Sequence, residues 1–112
     1  MIRIDQVWLS TESFDMRCGI DTTLSRVVKV FGSAHPHHAY LFANSKGNRM
    51  KVLVHDGYGI WLAARRLHSG KFNWGIHHND TQAVALMQEQ LQALILGLPW
   101  QRLGTNAVIK HV

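Results

Sequence analysis

The sequence predicts an α+β fold, an antiparallel β-meander of four to five strands with two helices packed on one face. Apolar runs at 50–55 and 58–64 flank Asp56-Gly57, a dipeptide typical of tight hairpin turns. Two other segments carry apolar residues at spacings of three and four, which indicates amphipathic helices. Because the central strands follow one another without intervening helices, we expect an antiparallel sheet covered by helices.

Five short segments have the composition of strands. Their predicted ranges are 7–9, 40–44, 50–55, 58–65 and 71–74. If Lys46-Gly47 and Asp56-Gly57 each centre a two-residue turn, Lys51 faces Phe42 on one side and Leu62 on the other. The middle of the sheet is then apolar on both faces.

The first helix is predicted from about 22 to 31, with Asp21 as N-cap and Gly32 just beyond its end. The second is predicted from about 81 to 96, with Asp80 as N-cap and termination at Gly97 and Pro99. It also carries a weaker apolar stripe, formed by Leu86, Ala93 and Leu96. That stripe is open to two uses, packing on the sheet or contact with a second copy.

Composition favours an anionic partner. The 112 residues form one predicted domain, 1–112, with a net charge of +5 and a pI near 9.9. Cys18 is the sole cysteine, so no intrachain disulfide forms, and no apolar run is long enough to span a membrane. Without a signal-peptide pattern at the N-terminus, we expect a cytoplasmic protein.

The residues that carry chemistry form no recognised catalytic pattern. The histidines of 35–38 and 77–78 lack the spacing of a zinc site, and we expect no metal and no cofactor. Asp15 and Glu12 are the carboxylates that remain as candidate Mg²⁺ ligands once the cap and turn aspartates are set aside. Asp15 is better explained as an ion-pair partner of Arg17. Cys18 has no matching general base. We therefore predict a protein that is not an enzyme.

Cations gather toward one predicted end of the sheet, where they can contact phosphates. Trp61 or Trp74 would stack on a base or anchor the fold, and burial is predicted for Trp61. The competing interpretation is that the cations only protect strand ends from aggregation. The candidate nucleic-acid-binding residues are Arg17, Arg49, Lys51, Arg65, Arg66, Lys71 and Trp74.

Several motifs resemble one known family. They are Phe-Asp-Met-Arg-Cys-Gly-Ile-Asp at 14–21, Asn-Arg-Met-Lys-Val-Leu at 48–53, His-Asp-Gly-Tyr-Gly at 55–59 and Arg-Arg-Leu at 65–67, followed by Gly-Lys-Phe at 70–72 and Trp74. In this order they are similar to the TnpB accessory proteins of the insertion-sequence sixty-six family. The resemblance covers about residues 7–100. Cys18 departs from the pattern, because the family usually has a basic residue there.

The resemblance implies a bacterial mobile element and a protein that works alongside a separate transposase. It supplies no molecular activity and no catalytic residues. Transposon-end DNA and the element's transposase are the expected partners, and a second copy bound through the C-terminal helix is a further candidate partner. The alternative function is a protein–protein adaptor that docks on the transposase without binding DNA.

Overall fold

The structure is a computed structural model that describes residues 3–74 and 83–99. In this part of the chain a five-stranded sheet has the spatial order β4-β3-β2-β1-β5 and carries two helices. The elements, in chain order, are β1 Gln6–Ser13, α1 Ile20–Phe31, β2 His38–Ala43, β3 Arg49–His55, β4 Ile60–Arg66, β5 Ala83–Leu86 and α2 Gln88–Ile95. The predicted α+β class is confirmed. The fifth strand is residues 83–86 and not the predicted 71–74.

The sheet is mixed rather than a pure antiparallel meander. β1 and β2 pair in parallel, with Trp8 beside Tyr40, whereas the other three strand pairs are antiparallel. Parallel neighbours need a long crossover, and α1 provides it between β1 and β2. The order strand–helix–strand at the start of the chain is the sequence signal for this pair.

The helices lie on opposite faces of the sheet, which corrects the prediction that both pack on one face. On the first face, α1 packs through Val27 against Tyr40, Phe42 and Leu53. On the second face, α2 places Leu94 in a separate apolar cluster. That cluster also holds Val7, Leu9, Leu41, Met50, Val54, Phe72 and Leu86. Since successive side chains of a strand point to opposite faces, apolar runs such as 39–43 supply both clusters.

The register of the central hairpins follows from their turns. The predicted pairs between β2 and β3 are confirmed, with Phe42 opposite Lys51. The predicted pairs between β3 and β4 are displaced by two residues, so that Lys51 faces Ala64 instead of Leu62. The β3–β4 connection spans Asp56–Gly59 and is centred on Gly57-Tyr58, one residue later than predicted, and only Gly57 has a positive φ there. A shift of two residues leaves every side chain on its predicted face.

The segment before α2 differs most from prediction. Residues 83–86, expected within a helix of 81–96, form strand β5 beside β1, with Leu86 buried opposite Val7. Helix α2 starts only at Gln88, and Asp80, its predicted N-cap, lies outside the described residues. The strand predicted at 71–74 is a loop without ladder pairing, in which Trp74 N–H donates to Phe72 O at 2.9 Å.

The ends of α1 follow from local backbone geometry. Its N-cap is Gly19 and not Asp21, which lies in the first turn. Gly32 closes the C-terminus with φ of 93°, as predicted, and its N–H donates to Val28 O.

Candidate nucleic-acid interface

One end of the sheet collects positive charge from three separate segments. We call this surface the basic end. The β2–β3 turn and the start of β3 contribute Lys46 and Arg49, the end of β4 contributes Arg65 and Arg66, and the following loop contributes Lys71. All five side chains are exposed.

Backbone hydrogen bonds hold the three segments together. Leu67 N–H donates to Asn48 O at 3.0 Å, and Phe72 N–H donates to Gly47 O at 2.7 Å. Within the turn, Asn44 Nδ2 donates to Asn48 Oδ1 at 2.9 Å and Asn44 Oδ1 accepts the Arg49 N–H at 3.1 Å. The buried Phe72 fixes the loop against the core, so Lys71 beside it lies over Gly47. The backbone that carries these cations is therefore well anchored.

Two arginines of the basic end lie directly opposite each other. Arg49 and Arg66 are cross-strand partners between β3 and β4, and both side chains project to the face that carries α1. Arg65 is on the other face, where its Nε donates to Ile95 O at the end of α2 at 2.7 Å. Like charges directly opposite on a sheet are destabilising. This pair is a place where a bound anion would relieve repulsion.

The ion pairs of the described residues lie away from the basic end. The ion pairs in 3–74 and 83–99 are Arg3–Asp5, Arg17–Asp15 and Arg26–Glu12. None of them involves a cation of the basic end. In this part of the chain, that surface therefore keeps its charge uncompensated by ion pairing.

Arg17 belongs to the loop before α1, which contacts β3. Lys51 Nζ donates to Cys18 O at 2.7 Å and so ties this loop to the sheet. Arg17 holds Asp15 through Nε and Nη2, at 3.1 and 2.9 Å. Those hydrogen bonds, with a smaller contribution from the charge of Lys51, lower the pKa of Asp15 to about 2. The same ion pair raises the pKa of the Arg17 guanidinium.

The seven predicted binding residues thus have different environments. The structure brings Arg49, Arg65, Arg66 and Lys71 to one end and holds Arg17 in the adjoining loop. Lys51 is half-buried and committed to a backbone carbonyl. Lys46 was missed by the sequence prediction, although its place in the β2–β3 turn was the signal that could have identified it.

The two tryptophans differ from prediction. Trp61, expected to be buried, is 53% exposed, and its Nε1 donates to the Asp56 carboxylate at 2.8 Å. Trp74 is half-buried against the α2-side cluster and donates from Nε1 to Ser10 O at 2.7 Å. Trp74 therefore anchors the loop after β4 to β1, whereas Trp61 is open to a partner.

The histidines near β2 have structural contacts. His38 Nδ1 accepts the Nε1–H of Trp8 at 3.1 Å, and burial lowers the pKa of His38. His37 N–H donates to His55 O at 2.6 Å. Among the residues that the structure describes, no three His, Cys, Asp or Glu side chains converge closely enough to hold a metal ion. His77 and His78 lie outside that part of the chain.

In the described residues, no helix has the length and apolar character needed to cross a bilayer. No solved structure matches this chain.

Comparison with known proteins identifies the family. A curated protein of Sinorhizobium fredii (strain NBRC 101917 / NGR234), uncharacterized protein y4hO, is 33% identical over 98 residues, which cover 86% of this chain and 83% of the relative. The family model described as IS66 Orf2 like protein matches residues 5–105. Proteins of this family are accessory proteins associated with transposition. With nearly the whole chain matched, this protein belongs to the IS66 Orf2-like family.

Proposed function

We propose that this chain is a non-catalytic accessory factor for transposition that contacts the DNA of the element through the basic end. The observation that carries the proposal is the cross-strand pair of Arg49 and Arg66, both exposed, with no carboxylate partner in the described residues. Phosphate oxygens placed between two guanidiniums accept hydrogen bonds from both and offset their repulsion.

Lys46, Arg65 and Lys71 extend the same surface around the end of the sheet. Cations of this kind contact the sugar-phosphate backbone, so they supply affinity for DNA without distinguishing its base sequence. Neither Lys51 nor Trp74 is needed in this proposal, because both already have partners within the fold. The expected interaction is salt-sensitive and weakly sequence-dependent.

The test compares two double variants of equal charge. Arg49→Gln with Arg66→Gln removes the opposed pair, whereas Arg3→Gln with Lys29→Gln removes two exposed cations on other parts of the fold. Binding of the full chain to duplex DNA from the element ends is measured by fluorescence anisotropy at several salt concentrations. We expect the first variant to bind about tenfold more weakly and to reduce the salt slope by about 1.8, at roughly 0.9 per lost phosphate contact.

The matched control should behave nearly as the wild type does. Equal losses in both variants would contradict a localised surface and indicate only the effect of net charge. Incubation of the same DNA with Mg²⁺ should leave it intact, and cleavage dependent on this protein would contradict the non-catalytic assignment.

A second candidate function is an adaptor that binds the transposase directly. It is favoured by Leu96 and Leu98, which are 60% and 50% exposed beside the basic end. Gly97, between them, lies close to Leu67 and Lys71. An acidic partner with an apolar patch would fit this combination. Co-purification with the transposase from nuclease-treated lysate, together with no intrinsic DNA affinity, would favour the adaptor over the DNA-contacting factor.

A further inference from the structure

The outer edge of β4 has the properties of a self-pairing strand. β4 is terminal in the sheet order, so in the described residues its outer side has no strand neighbour. The strand is seven residues long and contains no proline or glycine. Natural edge strands are commonly protected by proline, charged side chains or bulges, and the charges of β4 are confined to its last two residues, Arg65 and Arg66. Exposed alanines at 63 and 64 allow another backbone to approach closely.

The hydrogen-bond phase of β4 defines which groups face outward. Leu67 N–H donates to Asn48 O, and Asp56 N–H donates to Gly59 O, so these are hydrogen-bonded pairs of the β3–β4 ladder. Such pairs alternate along an antiparallel ladder. In the observed register the β4 residues 61, 63 and 65 therefore bond to β3. The residues 60, 62, 64 and 66 direct their N–H and C=O groups to the free edge.

We propose that the β4 edge pairs antiparallel with the same edge of a second copy, which makes a two-fold dimer with a continuous ten-stranded sheet. In the register that overlaps the whole strand, Leu62 of one copy pairs with Ala64 of the other, and the two Ala63 side chains meet on the axis. This dimer differs from one formed through the C-terminal helix. The stripe suggested for that contact does not form one helical face, because Leu86 is a buried residue of β5.

Charge selects this occupant and this orientation. In the proposed register, Arg65 of one copy lies beside Trp61 of the other, on the face that carries α2. The Trp61 ring is exposed, and its Nε1 is held by the Asp56 carboxylate at 2.8 Å. A guanidinium there meets both an aromatic face and a negative charge. A parallel arrangement in register would instead place Arg65 of one copy beside Arg65 of the other, and this repulsion disfavours it.

The association is closed and modest in strength. A two-fold contact uses the same surface on both copies and leaves no further β4 edge for growth into fibres. An edge of seven residues is smaller than a standard stable interface, so we expect dissociation in the micromolar range.

Sedimentation equilibrium of the full chain without DNA is the first test. The wild type should approach twice the 12.7 kDa chain mass as its concentration rises. Ala64→Pro removes an outward N–H but no β3–β4 hydrogen bond, so it should stay monomeric at the same concentrations. Ala64→Val keeps that N–H and should dimerise as the wild type does. Because DNA is absent, the outcome does not depend on the proposed DNA contact.

A second pair of variants keeps the test valid if Ala64→Pro fails to fold. Trp61→Glu places a carboxylate beside Arg65 of the other copy, whereas Trp61→Lys places two cations together. Both changes remove the same exposed indole. The two-fold axis generates this contact twice in each dimer. We therefore expect the dissociation constant of the Trp61→Lys dimer to be about tenfold higher than that of the Trp61→Glu dimer.

Amide hydrogen exchange identifies the edge itself. Exchange at Leu62 and Ala64 should slow as the wild-type concentration rises, while exchange at Ala63, which bonds to β3, should not change. A wild type that stays monomeric at millimolar concentration would overturn the proposal. Slow exchange at Leu62 and Ala64 in such a monomer would show that another segment of the same chain covers the edge.

Discussion

Trp74 joins the loop after β4 to the first strand through one side-chain hydrogen bond. Its Nε1 donates to the carbonyl oxygen of Ser10, a residue that is 0% exposed. Trp74→Phe keeps most of the apolar contact but leaves that carbonyl without this donor. We expect a loss of about 1–2 kcal/mol in the free energy of unfolding, measured by urea denaturation.

DNA affinity of folded Trp74→Phe should equal that of the wild type, because the indole serves the fold and not the basic end. Trp61→Phe is the matched control. Its indole is exposed, so its loss should change stability by less than about 0.5 kcal/mol. A larger effect for Trp61→Phe than for Trp74→Phe would contradict these roles.

Asp56 makes hairpin stability depend on pH. Its Oδ1 accepts the N–H groups of Tyr58 and Gly59, each at 2.8 Å, and Oδ2 accepts Nε1–H of Trp61. These donors favour the carboxylate and lower the pKa of Asp56 below its ordinary 3.8. A carboxyl whose pKa is lower when folded stabilises the protein above its unfolded pKa, and this stabilisation is lost as pH falls through the folded value.

Asp56→Ala should therefore be less stable than the wild type at neutral pH, with a difference that shrinks as pH falls below about 4. Urea denaturation at a series of pH values measures that difference directly. A gap between wild type and variant that stays constant from neutral pH to about 2.5 would show that the carboxylate charge has no such role.

At the scale of elements, the ends of α1 offer two glycines with opposite requirements. Gly19 is the N-cap, with φ of −88° and no side-chain capping bond, and a Cβ added there would meet open space. Gly19→Ser can cap the first turn and reduces unfolded-state freedom, so we expect a gain of about 0.5–1 kcal/mol.

Gly32→Ser is the matched control at the other end of α1. Gly32 has φ of 93°, which disfavours any side chain, and a loss of about 1 kcal/mol is expected. Thermal unfolding of both variants measures the difference. If both substitutions shift the midpoint in the same direction, backbone conformation is not what separates these sites.

The central hairpin shows how far sequence reasoning reaches. Alternation placed each β3 and β4 side chain on its observed face, because a register error of two residues preserves face. The register error arose because the Asp56 carboxylate accepts the N–H groups of Tyr58 and Gly59, which stabilises a turn centred on Gly57-Tyr58 instead of Asp56-Gly57. Such side-chain closure depends on three-dimensional geometry that a dipeptide preference does not contain.

The β5–α2 segment was harder to predict from sequence. Val84, Met87 and Leu91 fit a helical period, yet Val84 and Leu86 equally fit a short strand. The choice is made by β1, whose edge pairs with residues 83–86. For the candidate site, the predicted turns were enough to bring the cations of the basic end together. The hydrogen bonds of Lys51 to Cys18 O and of Trp74 to Ser10 O could not be predicted, because these partners are distant in sequence.

At the scale of the whole molecule, one sheet carries two apolar clusters that share its strands. Trp8 packs on the α1 side and Trp74 on the α2 side. Leu94 is 0% exposed in the α2-side cluster, so Leu94→Ala should cost about 2–4 kcal/mol. Because β2 and β3 supply residues to both clusters, we expect this loss to destabilise both faces together.

The measurement uses the fluorescence of the two tryptophans, with Trp61 and Trp100 replaced by Phe and either Trp8 or Trp74 retained in turn. Leu94→Ala should lower the urea midpoint by the same amount in the Trp8 background and in the Trp74 background. If the Trp74 signal moves while the Trp8 signal does not, the faces unfold independently and the sheet does not couple them.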